Sequence, residues 1–137
     1  MAIELADRLE LHELPGRYGD TIDDRAWERL PRIFTPDAVF DLTDLGAPRL
    51  VGLEEIHRFM DEEAAHPRTH MMTNIYVDDD DDAVRMYFRI VALIGQGRTG
   101  TASYYDEVVK TDDGWRVKHR VTTLARRDKK DAKVDLR

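Results

Sequence analysis

The chain of 137 residues contains no cysteine, which removes disulfide scaffolds, thiolate nucleophiles, iron–sulfur clusters and cysteine zinc sites together. Positive charge is also in deficit. Twenty-eight acidic against 21 basic residues leave a net charge of −7. There is no basic stripe to neutralise phosphates, so nucleic acid is excluded as the expected partner. Long apolar runs are missing too. The N-terminal stretch MAIELADRLELHEL carries Glu4, Asp7, Arg8, Glu10 and Glu13, which fits neither a signal peptide nor a membrane span. The expectation is a cytoplasmic protein with no membrane partner. With 42% hydrophobic residues, 8 Gly and 5 Pro, the composition is globular. The length suits one domain, expected over residues 1–127, followed by a charged, disordered tail over 128–137.

Several motifs are absent as well. The run Asp78–Asp82 lacks the glycine and terminal glutamate of a calcium loop and reads as a solvated hairpin tip. Gly95-x-Gly97-x-x-Gly100 has dinucleotide-binding spacing but lies between two strands rather than before a helix. His66 and His70 are four residues apart, yet Pro67 breaks the helix that would align them on a metal. No phosphate-binding loop or Ser/His/Asp nucleophile set is present. No cofactor and no metal are therefore expected.

The periodic pattern begins with a helix over residues 3–24, expected to kink or split at Pro15-Gly16. A second helix carries Trp27, Leu30, Ile33 and Phe34, with Thr35-Pro36-Asp37 as its stop. Residues 38–42 read as a short strand and 45–50 as a loop. A third helix opens at Gly52 and ends near His66-Pro67. Period-two alternation then predicts strands over 69–77, 83–94, 98–110 and 115–125, with Thr111-Asp112-Asp113-Gly114 as a hairpin turn. Helices followed by an antiparallel run give an α+β fold: a curved sheet wrapped around about three N-terminal helices, with a pocket between the layers. In the last strand, alternation puts Trp115, Val117 and Val121 on one face and Arg116, Lys118 and Arg120 on the other, and the apolar stripe is expected to be an interface.

Of the five histidines, His12, His57 and His66 lie among charges and are expected to face solvent, while His119 fits either face. His70 begins a strand with Met72, Asn74 and Tyr76 as its same-face partners, so it is either a satisfied core residue or a poised base.

Five segments in order carry a resemblance. They are Tyr18-Gly-Asp-Thr-Ile-Asp23-Asp-Arg-Ala-Trp27-Glu-Arg-Leu30, Phe34-Thr-Pro-Asp-Ala-Val-Phe-Asp41, Gly52-Leu-Glu-Glu-Ile56, His70-Met-Met-Thr-Asn74, and Tyr104-x-Asp106 with Asp113-Gly-Trp-Arg-Val117. Across about residues 3–127 the chain resembles the SnoaL-like group of the NTF2-like superfamily, which implies a cone-shaped fold with an internal pocket. That superfamily hosts dehydratases, isomerases, cyclases, epoxide hydrolases, dioxygenase small subunits and binding modules, so the fold leaves the activity open. The scytalone dehydratase, bile-acid 7α-dehydratase and lindane dehydrochlorinase subgroup uses a His–Asp dyad, and Asp23 and His70 match its two places. Tyr18 and Arg120 match further functional positions of that subgroup. The rest of its substrate-reading shell differs here, with Leu42, Leu93, Ala102 and Tyr104 at or near those positions.

The resemblance implies a cofactor-free lyase of the dehydratase type, or an isomerase, acting on a small, mostly apolar hydroxy-carbonyl compound. His70, Asp23 and Tyr18 are the expected catalytic residues. Arg120, Tyr104, Asn74, Tyr76 and Trp27 are the expected substrate-binding residues. Imidazole ordinarily titrates near neutrality, and a carboxylate partner fixes its tautomer. Arg120 has a second reading, an ion pair with Asp106 across the hairpin. A polyketide-cyclase-like ring-forming enzyme and a non-catalytic small-molecule-binding dimer are the alternatives. The ketosteroid isomerase base of the superfamily falls at about Leu42, next to Asp41, and would need a strand slip to coincide. The resemblance also implies a homodimer through the sheet, or a trimer as in some members.

Overall fold

The computed structural model describes residues 3–124, and the expected tail over 128–137 lies outside them. Helix α1 runs over Leu5–Asp23. A 3-10 helix covers Trp27–Arg32, and strand β1 covers Phe34–Asp41. After a short turn come β2 (Arg49–Val51) and α2 (Leu53–Arg58), the latter continued by a π turn over Phe59–Glu63. Four long strands follow: β3 (Thr69–Asp79), β4 (Val84–Gly95), β5 (Arg98–Thr111) and β6 (Gly114–Thr123).

Helix α1 is continuous through Pro15, contrary to the expected break. Pro removes one backbone bond and costs on the order of 3 kcal/mol in a helix interior. Here Leu11, Leu14, Pro15, Tyr18 and Ile22 are all buried, and their shared apolar face holds the helix against the sheet. Burying four large side chains at about 1.5–3 kcal/mol each exceeds that cost.

The six strands form one curved sheet in the order β2-β1-β6-β5-β4-β3. Every neighbouring pair is antiparallel except β1 with β6, which is parallel, so the sheet is mixed. Two elements differ from the sequence expectation. Strand β1 starts at Phe34, taking in the Thr35-Pro36 read as a stop, and the three-residue β2 lies where a loop was expected. Pro36 is tolerated because the β1–β6 register is irregular between Phe34 and Val39.

Two bulges decide which side chains face the core. In β3, Thr73 pairs with Arg89 and Tyr76 with Tyr87, leaving one extra residue on β3. Asn74 there has φ 54°, a left-handed conformation that Asn tolerates better than branched residues. The bulge reverses the alternation, so Val77 is buried while Asn74 and Tyr76 are exposed. In β6, Glu107 pairs with His119 and Val108 with Val117, which leaves Lys118 without an opposite residue. Trp115 and Val117 therefore share the inner face with Arg120 and Thr122. The apolar stripe expected at an interface is instead core: Trp115 and Val117 are both buried, and Val121 alone turns outward, opposite Tyr105.

Candidate functional site

The open end of the cone holds a cavity of about 500 Å³. Its walls come from α1 (Tyr18, Ile22), the π turn and the segment after it (Phe59 to Pro67), and the inner faces of β3, β4 and β5 (His70, Ile90, Ala92, Ala102, Tyr104). Most of the wall is hydrocarbon. Among the described residues Glu63 is its one acidic residue, at the rim and paired with Arg58 at 2.5 Å, and no Lys or Arg lines it.

His70 and Asp23 meet at this wall. Asp23 is the last residue of α1 and His70 the second of β3, so two element ends bring them together. His70 Nδ1 lies 2.5 Å from Asp23 Oδ1. Asp23 Oδ2 accepts from the His70 backbone N–H at 2.8 Å and from the Thr69 hydroxyl at 3.1 Å. The carboxylate is thus held on both oxygens and cannot swing. A carboxylate only accepts, so the proton on this side sits on Nδ1, and in the neutral ring Nε2 keeps its lone pair. Both side chains are nearly enclosed, 7% exposed for His70 and 13% for Asp23.

Tyr18 and Tyr104 line the same cavity, their rings 6.0 Å apart. Burial pushes both phenols above their ordinary pKa, Tyr18 well above it, so both remain protonated donors. Beneath them lies Arg120, fully buried. Its Nε and Nη2 donate to Asp106 Oδ1 and Oδ2 at 2.8 and 2.7 Å. Its guanidinium lies 4.2 Å from the Tyr18 ring centre and 5.0 Å from that of Tyr104, within a cage completed by Phe34, Phe40 and Phe88. Burial alone would weaken the Arg120 cation, but the Asp106 carboxylate outweighs it and raises its proton affinity. Burial raises the Asp106 pKa, with Arg120 pulling the other way.

The remaining residues expected to bind substrate are not on the cavity wall, and each has a physical reason. Arg120 is neutralised by Asp106 and shielded by aromatic rings, so it does not reach the cavity. The β3 bulge turns Asn74 and Tyr76 to the outer face, where Tyr76 is 53% exposed and stacks on Tyr87 with ring centres 4.9 Å apart. Trp27 sits behind the wall: its ring packs 5.5 Å from that of His66, and its Nε1 donates to Asp61 at 2.9 Å. Asp41 accepts from the Thr43 backbone and hydroxyl, while its neighbour Leu42 lines the cavity.

His66 was expected to face solvent and does not. It lines the cavity, half-buried, with Nε2 2.7 Å from the Met60 carbonyl. The one sequence signal for it is its place just before Pro67, between the third helix and the dyad strand. No group of three His, Asp or Glu among the described residues is placed to hold a metal ion.

The SnoaL-like domain family matches residues 3–121. The chain belongs to the SnoaL-like family. An uncharacterised relative, the Mycobacterium tuberculosis (strain ATCC 25618 / H37Rv) protein Rv2910c, is 32% identical over 132 residues, covering 88% of this chain and 86% of that one. Among solved structures, this SnoaL-like chain is similar to an NTF2-like protein of cystatin-like fold from Novosphingobium aromaticivorans (TM-score 0.72, 21% identity, 88% and 82% of the two chains). It is similar to LinA (TM-score 0.71, 19% identity, 86% and 85% covered). A protein of Novosphingobium aromaticivorans provisionally described as a scytalone dehydratase also shares the fold (TM-score 0.63, 21% identity, 83% and 80% covered). The expected fold class, an NTF2-like cone, is the one observed, with the β1–β6 parallel pair as its departure from an all-antiparallel sheet. Among the described residues no helix is long and apolar enough to cross a membrane.

Proposed function

We propose that this SnoaL-like domain is a cofactor-free acid–base enzyme, a lyase of the dehydratase type or an isomerase, with His70 as the base. The observation that carries the reading is the His70–Asp23 pair at the wall of an apolar cavity. Nε2 of His70 takes a proton from carbon next to a ligand carbonyl. Asp23 holds the tautomer and stabilises the imidazolium that forms, as an orienting carboxylate does in other His-dependent enzymes. Tyr18 and Tyr104, kept protonated by burial, donate to the oxygen on which charge develops. Tyr18 then has the catalytic role and Tyr104 the binding role. The proton moves from carbon to His70 and returns either to a leaving hydroxyl (elimination) or to another carbon (isomerisation).

The test is deuterium exchange. A panel of small apolar ketones and hydroxyketones is incubated with the protein in D2O, and loss of the signal from hydrogens beside the carbonyl is followed by NMR. Exchange by the wild type that falls by about 10²–10⁴-fold in His70→Ala and in Asp23→Asn supports the reading. Exchange unchanged in either variant refutes it. Ligand binding with no exchange or turnover across the panel would favour the binding-module alternative.

We also propose a homodimer through the outer sheet face, on which Tyr76, Tyr87 and Tyr105 stand in ring contact. Light scattering at ~50 μM that reports a monomer overturns this, since an interface of standard size is occupied at that concentration.

A further inference from the structure

The cavity has a second imidazole that the dyad does not use. His66 lies in the segment that closes the cavity after the π turn over Phe59–Glu63. The wider turn leaves the Met60 carbonyl available, and His66 Nε2 sits 2.7 Å from it. A carbonyl only accepts, so the proton of His66 is on Nε2. The ring contact is made through Nε2, and among the described residues no hydrogen bond engages Nδ1. The ring is fixed from behind by Trp27, and Trp27 is itself tied to Asp61. Burial lowers the His66 pKa and the neighbouring Arg25 and His70 lower it further, against the Met60 carbonyl and Asp23, which raise it. The net effect favours a neutral ring. Beside His70, Thr101, the two phenols and Glu63 at the rim, the rest of the wall is largely hydrocarbon, and among the described residues no Lys or Arg lines it to fix an anionic ligand.

We propose that His66 is a specificity-determining residue whose Nδ1 accepts a hydrogen bond from a hydroxyl of a neutral, largely apolar ligand, with Met60 and Trp27 as positioning groups. This rests on the cavity being the ligand site but not on turnover by the dyad. A fixed acceptor in an apolar wall discriminates for a simple reason: a bound ligand that lacks the hydroxyl covers the lone pair and leaves it unmatched. The ligand class is therefore one with a hydroxyl donor, such as a phenol, enol or alcohol. Carboxylates and phosphates are disfavoured, because among the described residues the wall offers them no cation and at His66 they meet a lone pair.

The experiment compares two probes of nearly equal shape, para-tert-butylphenol and its methyl ether, by calorimetric titration against the full chain. The wild type is expected to prefer the phenol by about 3- to 10-fold. His66→Phe keeps a ring against Trp27 but loses the acceptor, and should reduce the preference to within about twofold; His66→Gln should restore part of it. Nitrogen NMR of the wild type is a second readout that needs no variant to fold: the His66 Nδ1 resonance should shift with the phenol and stay in place with the ether. Absence of a phenol preference in the wild type, including failure of the phenol to bind, overturns the proposal. So does a preference that survives in His66→Phe, or an Nδ1 resonance indifferent to the phenol. None of these readouts depends on catalysis, so failure of the His70 mechanism would register separately, in the deuterium exchange.

Discussion

Two carboxylates in this molecule each hold a nitrogen base, and the two pairs sit in opposite surroundings. Asp23 holds His70 at the cavity wall, and Asp106 holds Arg120 beneath the floor. The Asp106–Arg120 pair is fully buried, bidentate and capped by five aromatic rings, so neither partner has an open face toward a ligand. The Asp23–His70 pair engages one ring nitrogen, Nδ1, and His70 lines the cavity. What separates the two pairs is therefore where each lies: Arg120 keeps its unpartnered Nη1 buried in the core, whereas His70 lines the cavity. Guanidinium cannot give up its proton at ordinary pH, whereas imidazole can exchange one.

The largest expected effect is catalytic. Asp23→Asn should lower proton-transfer rates by about 10²–10⁴-fold while costing only about 1–2 kcal/mol of stability, measured by deuterium exchange alongside urea unfolding. The other pair should behave in reverse. Arg120→Met leaves Asp106 buried without a partner and should cost about 3–5 kcal/mol in unfolding free energy. The double variant Arg120→Met/Asp106→Leu should recover most of that loss. Little destabilisation in the single variant would show that Asp106 finds another partner and that the two pairs are less different than they look.

A smaller effect concerns the bulge that sets the face of β3. Asn74→Val at φ 54° should cost about 1–2 kcal/mol, and Asn74→Gly almost nothing, in thermal unfolding. Equal stabilities would mean that the bulge shifts easily and does not hold Tyr76 out of the cavity.

The smallest effect is acid-linked and belongs to a third carboxylate. Asp7 is lowered from 3.8 to about 2, first by the hydrogen bond from Lys110 and then by that from the Trp115 indole. A depressed carboxyl stabilises the fold above its ordinary pKa and stops doing so as pH falls through the folded value. The stability difference between wild type and Asp7→Asn should thus be full above pH 3.8 and vanish as pH approaches about 2. A difference that persists at low pH would assign the role of Asp7 to packing.

These contrasts also explain what could be read from the chain beforehand. Asp23 and His70 were legible because each stands at the end of an element, where sequence order and the family resemblance both fix its place. The period-two pattern located the four long strands, and the third helix held apart from its π turn. It failed at Arg120, Asn74 and Tyr76 for one shared reason. A bulge adds a residue to one strand and inverts the alternation beyond it, and neither Lys118 nor Asn74 announces a bulge by its identity alone. Pro15 misled differently, because local propensity favoured a break that burial of the surrounding face prevents. His66 was hidden by its charged sequence neighbours: the π turn that folds it back onto the cavity arises from packing, which no short motif encodes.

The hold of Asp23 on the His70 ring is read most directly in the nitrogen NMR spectrum of His70 in its neutral form, recorded for the wild type and for Asp23→Asn. The expected result is a proton on Nδ1 and a lone pair on Nε2 in the wild type, and loss of that single tautomer when the carboxylate becomes an amide. A neutral His70 protonated on Nε2, or a spectrum unchanged by Asp23→Asn, would contradict the claim that Asp23 sets the ring for proton abstraction.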